Sequence, residues 1–286
     1  MSLLAQSQQP PEGVLYVVAT PIGNFDDISE RALQTLRNSE IILAEDTRRT
    51  LPLLQRFVIS KPIMQAFHEH NEAAITPKII DQLLAGKKIA LVSDAGTPLI
   101  SDPGYSLVMH AHERRIRVQP IPGSCALIAA LSASGLPTDQ FFFAGFLPAK
   151  SSRRTTTLEK LKSQVGTLVF YESSHRILGS LQDCLAVLGN RQAVIAREMT
   201  KLYETIRLDT LSSLIEFVSL DSNQQKGEFV VLIEGAQVQE EDNSEQIDHV
   251  LIVLLEELPV KQAVSIASKI LGMKKNAIYQ RALQLK

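Results

Sequence analysis

Cysteine is nearly absent from this sequence: 286 residues hold two, Cys125 and Cys184. Both fall in helix-like apolar patterns, where a small buried hydrophobe is the ordinary reading, so nothing supports a disulfide framework or a cysteine metal site. Long apolar runs are absent too; stretches such as 250–255 are far too short to span a bilayer. The opening MSLLAQSQQPPEG lacks the basic start and apolar core of a secretory signal and reads as a loose tail. These absences lead us to expect a soluble cytoplasmic protein with no membrane partner. Neither G-x-G-x-x-G nor G-x-x-x-x-G-K-[ST] occurs, which removes the usual support for a dinucleotide or nucleoside-triphosphate site. The chain shows no low-complexity tract and no solenoid-period repeat.

Net charge is also small, −2, and does not advertise a nucleic-acid binder. The average hides an uneven distribution. Residues 234–257 carry eight acids and no Lys or Arg, whereas 259–286 carry six Lys or Arg and no acid. An acidic linker before a solvated cationic helical face explains this, and so does an RNA-facing tail.

The length is about twice that of a typical domain. Apolar, β-branched runs at 14–18, 40–43, 63–67, 89–92 and 116–118 alternate with helix-like stretches at 27–38, 72–85 and 105–113. That alternation predicts a three-layer α/β domain with a parallel sheet. Further runs at 141–144, 167–171, 193–196, 204–208 and 228–233 have fewer helices between the last three, which predicts a second α/β domain with a mixed sheet. From about Ser244 three short amphipathic helices form a small module, with Pro259 at a helix start. The expected organisation is a tail at 1–12, an N-terminal α/β domain at 13–121, a second at 122–236, and an acidic linker with a basic helical module at 237–286.

Backbone control gathers at strand ends. ATPIGNFDDI follows the first strand, VSDAGTPLISDPG the fourth, and IPGSCA the fifth. Loops at the carboxyl ends of strands line the ligand crevice of an open α/β sheet. Gly23, Gly96 and Gly104 let backbone approach a ligand, Pro21, Pro98 and Pro103 stiffen the path, and Gly123 and Ser124 open a helix whose amides face outward. Each loop alone is also ordinary turn chemistry. Three at corresponding strand ends describe a cradle built mainly of main chain.

Read in order, LYVVATPIGNFDDIS, AEDTRRT, FHEHNE, VSDAGTPLISDPG, PIPGSCA, GFLPAK, FYESSHR and REMTK resemble the tetrapyrrole methylase superfamily, in its branch of 2′-O-methyltransferases acting on a cytidine ribose of 16S ribosomal RNA. The resemblance covers residues 13–235. It implies two α/β domains with S-adenosylmethionine bound between them, a homodimer, and 16S RNA or the 30S subunit as partner. Gly96, Thr97 and Pro98 match the superfamily's Gly-Asp-Pro element, with Thr97 in place of its Asp. Carried over residue by residue, the cofactor-binding set is Pro21, Gly23, Asp94, Gly96, Thr97, Pro98, Ser101, Gly123, Ser124 and Ala126. A sulfonium donor already carries its activated methyl group, so the protein's task is to place the nucleophile, a contribution on the order of 7 to 11 kcal/mol.

A ribose hydroxyl is a poor nucleophile, and a nearby base or cation helps it. Glu45 and Asp46 are candidate proton acceptors, with Arg48 and Arg49 as phosphate anchors; an N-cap with a local ion pair is the competing reading. His68 and His70 form an H-x-H pair without a third ligand, so we expect no metal and read His68 as a base or substrate contact. Glu172 and Lys201 close second-domain strands and face the same crevice, Lys201 as an alkoxide or phosphate partner or in a structural bridge with Glu198. Lys150, Arg153 and Arg154, on a loop after GFLP, and Lys274, Lys275 and Arg281 in the tail are the candidate RNA cations. Methylation of a tetrapyrrole or another small molecule, and a non-catalytic ribosome assembly factor, are the rival functions.

Overall fold

The structure, a computed structural model, describes residues 13–60, 62–237 and 244–285. The tail call at 1–12 and the centre of the acidic linker, 238–243, lie outside the described residues. The chain divides into two compact units, one ending at Ala236 and one beginning at Gln237.

The first sheet holds β1 (Val14–Val18), β2 (Ile41–Ala44), β3 (Ile63–Ala66), β4 (Lys88–Val92) and β5 (Arg117–Ile121) in the order β3-β2-β4-β1-β5. Every neighbouring pair is parallel. Its inner strands β1, β2 and β4 are apolar along nearly their whole length because both faces are covered, whereas the edge strands β3 and β5 carry Gln65, Arg117 and Gln119. Leu15, Leu43, Ile89 and Leu91 pack on one face under α3 (Glu72–Leu84) and α4 (Tyr105–Glu113). Val18, Ile42, Ala44 and Val92 pack on the other under α1 (Glu30–Asn38) and α2 (Thr47–Arg56). The connections thus leave β1 over one face and β4 over the other. β1 and β4 are neighbours, and the crevice outside their carboxyl ends is the sheet's topological switch point.

Two segments differ from the sequence expectation. The helix anticipated from residue 27 begins only at Glu30, capped by the Ser29 side chain on the Ala32 amide, because Asn24 first caps a separate 3₁₀ turn at Phe25–Asp27. The fifth strand runs to Ile121 rather than 118, since its pairing with β1 continues through Val18 and Ile121.

The second sheet contains β6 (Phe141–Phe146), β7 (Thr167–Ser173), β8 (Gln192–Arg197), β9 (Thr205–Thr210) and β10 (Glu228–Ile233), ordered β6-β7-β10-β8-β9. β6 and β7 are parallel, and the other three pairings are antiparallel, so the sheet is mixed. The carboxyl ends of β7 and β8 therefore share an edge with the start of β10. On one face α6 (Ser151–Leu161), α7 (Ile177–Leu188) and α8 (Leu211–Leu220) enclose Phe170, Leu181, Cys184 and Leu214. Burial pushes the Cys184 thiol up to about 12, which fits an inert core residue. On the other face α5 (Ala126–Ala133) packs Leu127 and Leu131 on Val169, Val194 and Val230.

The expected loop after GFLP is instead helix α6, and its cations do not share one role. Arg154 is 5% exposed. Its guanidinium pairs with Asp183 at 2.6 Å and donates to the carbonyls of Pro148 and Ala149 at 3.3 and 3.2 Å. A cation so committed ties α6 to α7 and is not a flexible RNA contact. Lys150 and Arg153 are exposed at the start of α6.

The helical unit consists of α9 (Ser244–Glu257), α10 (Val260–Leu271) and α11 (Lys275–Gln284) around Leu251, Val264, Ala267, Ile278 and Ala282. Pro259 precedes α10 and Gly272, at φ +66°, ends it. Arg281 makes a two-pronged contact with Asp248 at 2.6 Å through both prongs, joining α11 to α9. The sequence reading of Arg281 as an RNA cation did not foresee this helix partner. Lys274 and Lys275 stand exposed at the N-terminus of α11.

Candidate cofactor and catalytic cleft

The three bends at the carboxyl ends of β1, β4 and β5 are stitched into one surface. Thr20 and Gly96 exchange backbone hydrogen bonds of 2.8 and 3.0 Å, which closes the first bend onto the second. The Thr97 hydroxyl donates to the Ser124 carbonyl at 3.0 Å and fastens the second to the third. Gly123 rests on Ala19. The second bend is strained: Leu99, Ser101 and the glycines 96 and 104 all have positive φ. Residues forced into that region concentrate at ligand clamps, where surrounding contacts over-determine them. One of those contacts is Glu72 of FHEHNE, whose carboxylate accepts from the amides of Gly104 and Ser106 at 3.3 and 3.0 Å and anchors the far end of the bend.

The bends face the end of the second sheet where β7 and β8 finish and β10 starts, across a hollow of about 540 Å³. Ile22, Gly96 and Ala126 contribute one wall position from each bend, with Asp94, Ala95, Ile100, Ser101 and Asp102 from the second. Phe146, Tyr171, Met199 and Val230 supply apolar surface from the second sheet, and Glu172, Lys201 and Glu228 supply charge. Gly23 keeps the gap narrow: a Cβ there would lie 2.6 Å from Lys201 Cγ and 2.8 Å from Thr200 Oγ1. Of the expected cofactor set, Asp94, Gly96, Ser101 and Ala126 line the hollow. Pro21 and Pro98 are buried and, like Thr97, Gly123 and Ser124, are not among the lining residues; the last three belong to the ties just described. The third bend differs from expectation in one respect. Its helix begins at Ala126 with Cys125 at the cap, and the Leu127 amide donates to the Tyr171 hydroxyl at 3.3 Å instead of facing outward.

Charge is distributed unevenly around this hollow. Asp46 caps α2 and holds Arg48 at 2.7 Å, and the Arg48 hydrogen bonds keep its carboxyl at about 2. That is the N-cap with a local ion pair, and it corrects the reading of Asp46 as a proton acceptor: a carboxylate held so low is a weak base. Arg49 turns inward to Asp94, 3.4 Å away, and lines the hollow. The Asp46 amide donates to Asp94 at 2.9 Å, and the Asp94 amide to Glu45 at 3.3 Å. Burial raises the Glu45 carboxyl, opposed by that amide and by the Arg49 charge. Asp102 is pushed up to about 6 by burial, with Glu45 and Asp94 adding to the rise and the Ser93 hydroxyl easing it. Glu172 is almost wholly buried and bound to Arg176 at 2.8 Å, to its neighbour's amide and to the Ser180 hydroxyl, so it holds the end of β7 in shape and is not a free base. Lys201 bridges Glu198 at 3.0 Å and Glu228 at 2.9 Å; burial alone would lower its ammonium, but those carboxylates carry it upward and keep it a cation.

His68 is not brought to this wall. Its amide donates to Asn71 at 2.9 Å, its ring meets His70 edge-on at 5.9 Å, and its Nδ1 has no partner among the described residues. Among the described residues no cluster of three or more His, Cys, Asp or Glu could hold a metal ion. The sequence reading missed Asp102, Tyr171, Met199 and Val230. Asp102 stood in VSDAGTPLISDPG, Tyr171 in FYESSHR and Met199 in REMTK, so the motifs were legible while the roles were not; Val230 stood in none, and only tertiary folding assembles the four.

The wall composition suits S-adenosylmethionine. An apolar side accepts an adenine, backbone and carboxylate groups accept from an ammonium and a ribose diol, and the net negative character meets a ligand with one more positive than negative charge. Comparison with known proteins places this geometry in context. The Tetrapyrrole (Corrin/Porphyrin) Methylases family matches residues 14–215, and the RsmI C-terminal HTH domain matches residues 241–286. A ribosomal RNA small subunit methyltransferase I of Pseudomonas aeruginosa is 53% identical, over 95% of this chain and 97% of its own. That of Escherichia coli O157:H7 is 50% identical, over 98% of each. A uroporphyrin-III C-methyltransferase of Thermus thermophilus, solved with S-adenyl homocysteine, has the same fold at a TM-score of 0.52 and 17% identity, over 77% of this chain and 97% of that one. The chain belongs to the tetrapyrrole methylase family, in the branch formed by the ribosomal RNA small subunit methyltransferases I.

Proposed function

We propose that this protein transfers the methyl group of S-adenosylmethionine to small-subunit ribosomal RNA, at the 2′-hydroxyl of a cytidine ribose in 16S RNA. The observation that carries the reading is identity of about half, over nearly the whole length, to relatives named for that RNA. It favours an RNA substrate over a tetrapyrrole, because similarity to the tetrapyrrole enzyme is confined to the fold. It also favours an enzyme over a vestigial assembly factor, because the hollow retains its charged and apolar walls.

In this reading the bend from Asp94 to Asp102 and the Ala126 turn hold the cofactor, which supplies the activated methyl carbon. Ile22, Met199 and Val230 exclude water from it. Lys201, kept charged by Glu198 and Glu228, faces the RNA and attracts either a phosphate or the oxygen that gains charge as the 2′-hydroxyl loses its proton. Glu45, raised by burial and not tied in an ion pair, is the carboxylate of the original candidate set best suited to take that proton. Lys150, Arg153, Lys274 and Lys275 serve as phosphate contacts. The acting form is a homodimer, and its partner is 16S RNA, free or within the 30S subunit. No helix among the described residues is long and apolar enough to cross a membrane, in keeping with a cytoplasmic setting.

Tritiated methyl transfer to 30S subunits and to naked 16S RNA, both from a strain lacking this gene, tests the reading. We expect incorporation on at least one of the two, mapping to one cytidine ribose. Absence of incorporation on both would overturn it.

A further inference from the structure

We propose that Asp102 is the counter-charge that makes the hollow prefer the sulfonium form of the cofactor over its neutral thioether product. The inference rests on the cofactor reading above and adds a specificity-determining residue to it. Five carboxylates line the hollow, and four are under the influence of a cation. Asp94 faces Arg49, Glu172 faces Arg176 and Glu228 faces Lys201, at 3.4, 2.8 and 2.9 Å. Glu45 lies in the field of Arg49. Asp102 alone has no cation acting on it among the described residues. Its single aid is the Ser93 hydroxyl, which also faces the Ala95 and Gly96 carbonyls.

Such a residue is costly in the empty hollow. Glu45 and Asp94 repel its charge, Tyr171 shares its field, and burial strips its water. It follows Ser101, whose positive φ belongs to the strained bend, and it lines the hollow with that bend. What it lacks is a cation, and the cofactor brings two. An ammonium asks for up to three acceptors, which loop carbonyls with Asp94 and Glu45 can share. A sulfonium donates none, and a nearby charge in a poorly solvated site is what stabilises it. Loss of the methyl group leaves a neutral sulfur, so the attraction vanishes with turnover and the product is released from a hollow that again holds an uncompensated carboxylate.

Calorimetric titration of the full-length protein with S-adenosylmethionine and S-adenosylhomocysteine, for the wild type, Asp102→Asn and Asp102→Glu, tests this. We expect Asp102→Asn to weaken S-adenosylmethionine by about tenfold or more and S-adenosylhomocysteine by less than about threefold, with Asp102→Glu retaining most of the preference. Circular dichroism and the melting temperature establish that each variant is folded, and Asp102→Ser replaces any that is not. Equal weakening of both ligands would place Asp102 at their common amino-acid end and overturn the inference, as would no change in either. If the wild type bound neither ligand, the cofactor reading itself would fall, a result separable from both of these.

Discussion

At the residue scale, side chains of one type in one motif proved to have different tasks. Arg48 and Arg49 are adjacent, yet the first closes a cap on Asp46 and the second turns into the hollow toward Asp94. Arg153 and Arg154 are adjacent as well, one exposed and one 5% exposed between two helices. No sequence motif separates such neighbours, because helix phase and a distant partner, here Asp183, decide which one is buried. Asp102 was equally hidden: its motif was legible, but its isolation from cations depends on three strands converging. That isolation has a consequence for stability. A carboxyl raised from 3.8 to about 6 favours the folded state while protonated, so its cost is absent below about pH 4, grows up to about pH 6 and is complete above. Allowing for the solvent that still reaches it, the cost at neutral pH is about 1 to 2 kcal/mol. We therefore expect Asp102→Asn, without cofactor, to melt about 2 to 6 °C higher than the wild type at pH 7.5, with the gap closing toward pH 4.5. Scanning calorimetry at both pH values checks this; a gap that stayed constant would contradict it.

At the element scale, strands were more legible than helices. The inner strands β1, β2 and β4 are short apolar runs, since both faces are buried and nearly every position must be apolar. Helices α2 and α6 were not legible, being rich in Thr, Arg and Ser: α2 leans on its Asp46 cap and α6 on the Arg154–Asp183 tie to α7 rather than on a long apolar stripe. In the tail, the helices read from amphipathic spacing agree with α9, α10 and α11, but charge did not reveal which cations are free. Lys274 and Lys275 sit at the N-terminus of α11, where the helix dipole is also positive, a local field that disfavours cations and attracts anions. Replacing both with Gln should weaken binding to 16S RNA and lower the slope of log affinity against log salt by about 1 to 2. The helical unit should keep or slightly gain stability. Filter binding across a salt series measures the slope, and an unchanged slope would remove these residues from the RNA contact.

At the scale of the whole molecule, the site is produced by topology. A parallel sheet that reverses its winding between β4 and β1 leaves a crevice there, and a mixed sheet brings the ends of β7, β8 and β10 to the facing edge. The bends of the first sheet were visible in the sequence because glycine and proline mark them locally. The role of the opposing wall was not: Tyr171 and Met199 lay inside FYESSHR and REMTK, but they and Val230 look like core at strand ends until a second domain is set against them. Gly96 stands at the junction of these parts, at φ +86° and with Ile22 Cγ2 only 3.4 Å from where a Cβ would lie. A tryptophan there fills the hollow while leaving both sheets their cores. The most direct measurement is therefore calorimetric titration of S-adenosylmethionine into the wild type and into Gly96→Trp, with circular dichroism on both. We predict binding of one cofactor per chain by the wild type and none by a folded Gly96→Trp; equal affinity in the two would contradict the assignment of the hollow as the cofactor site.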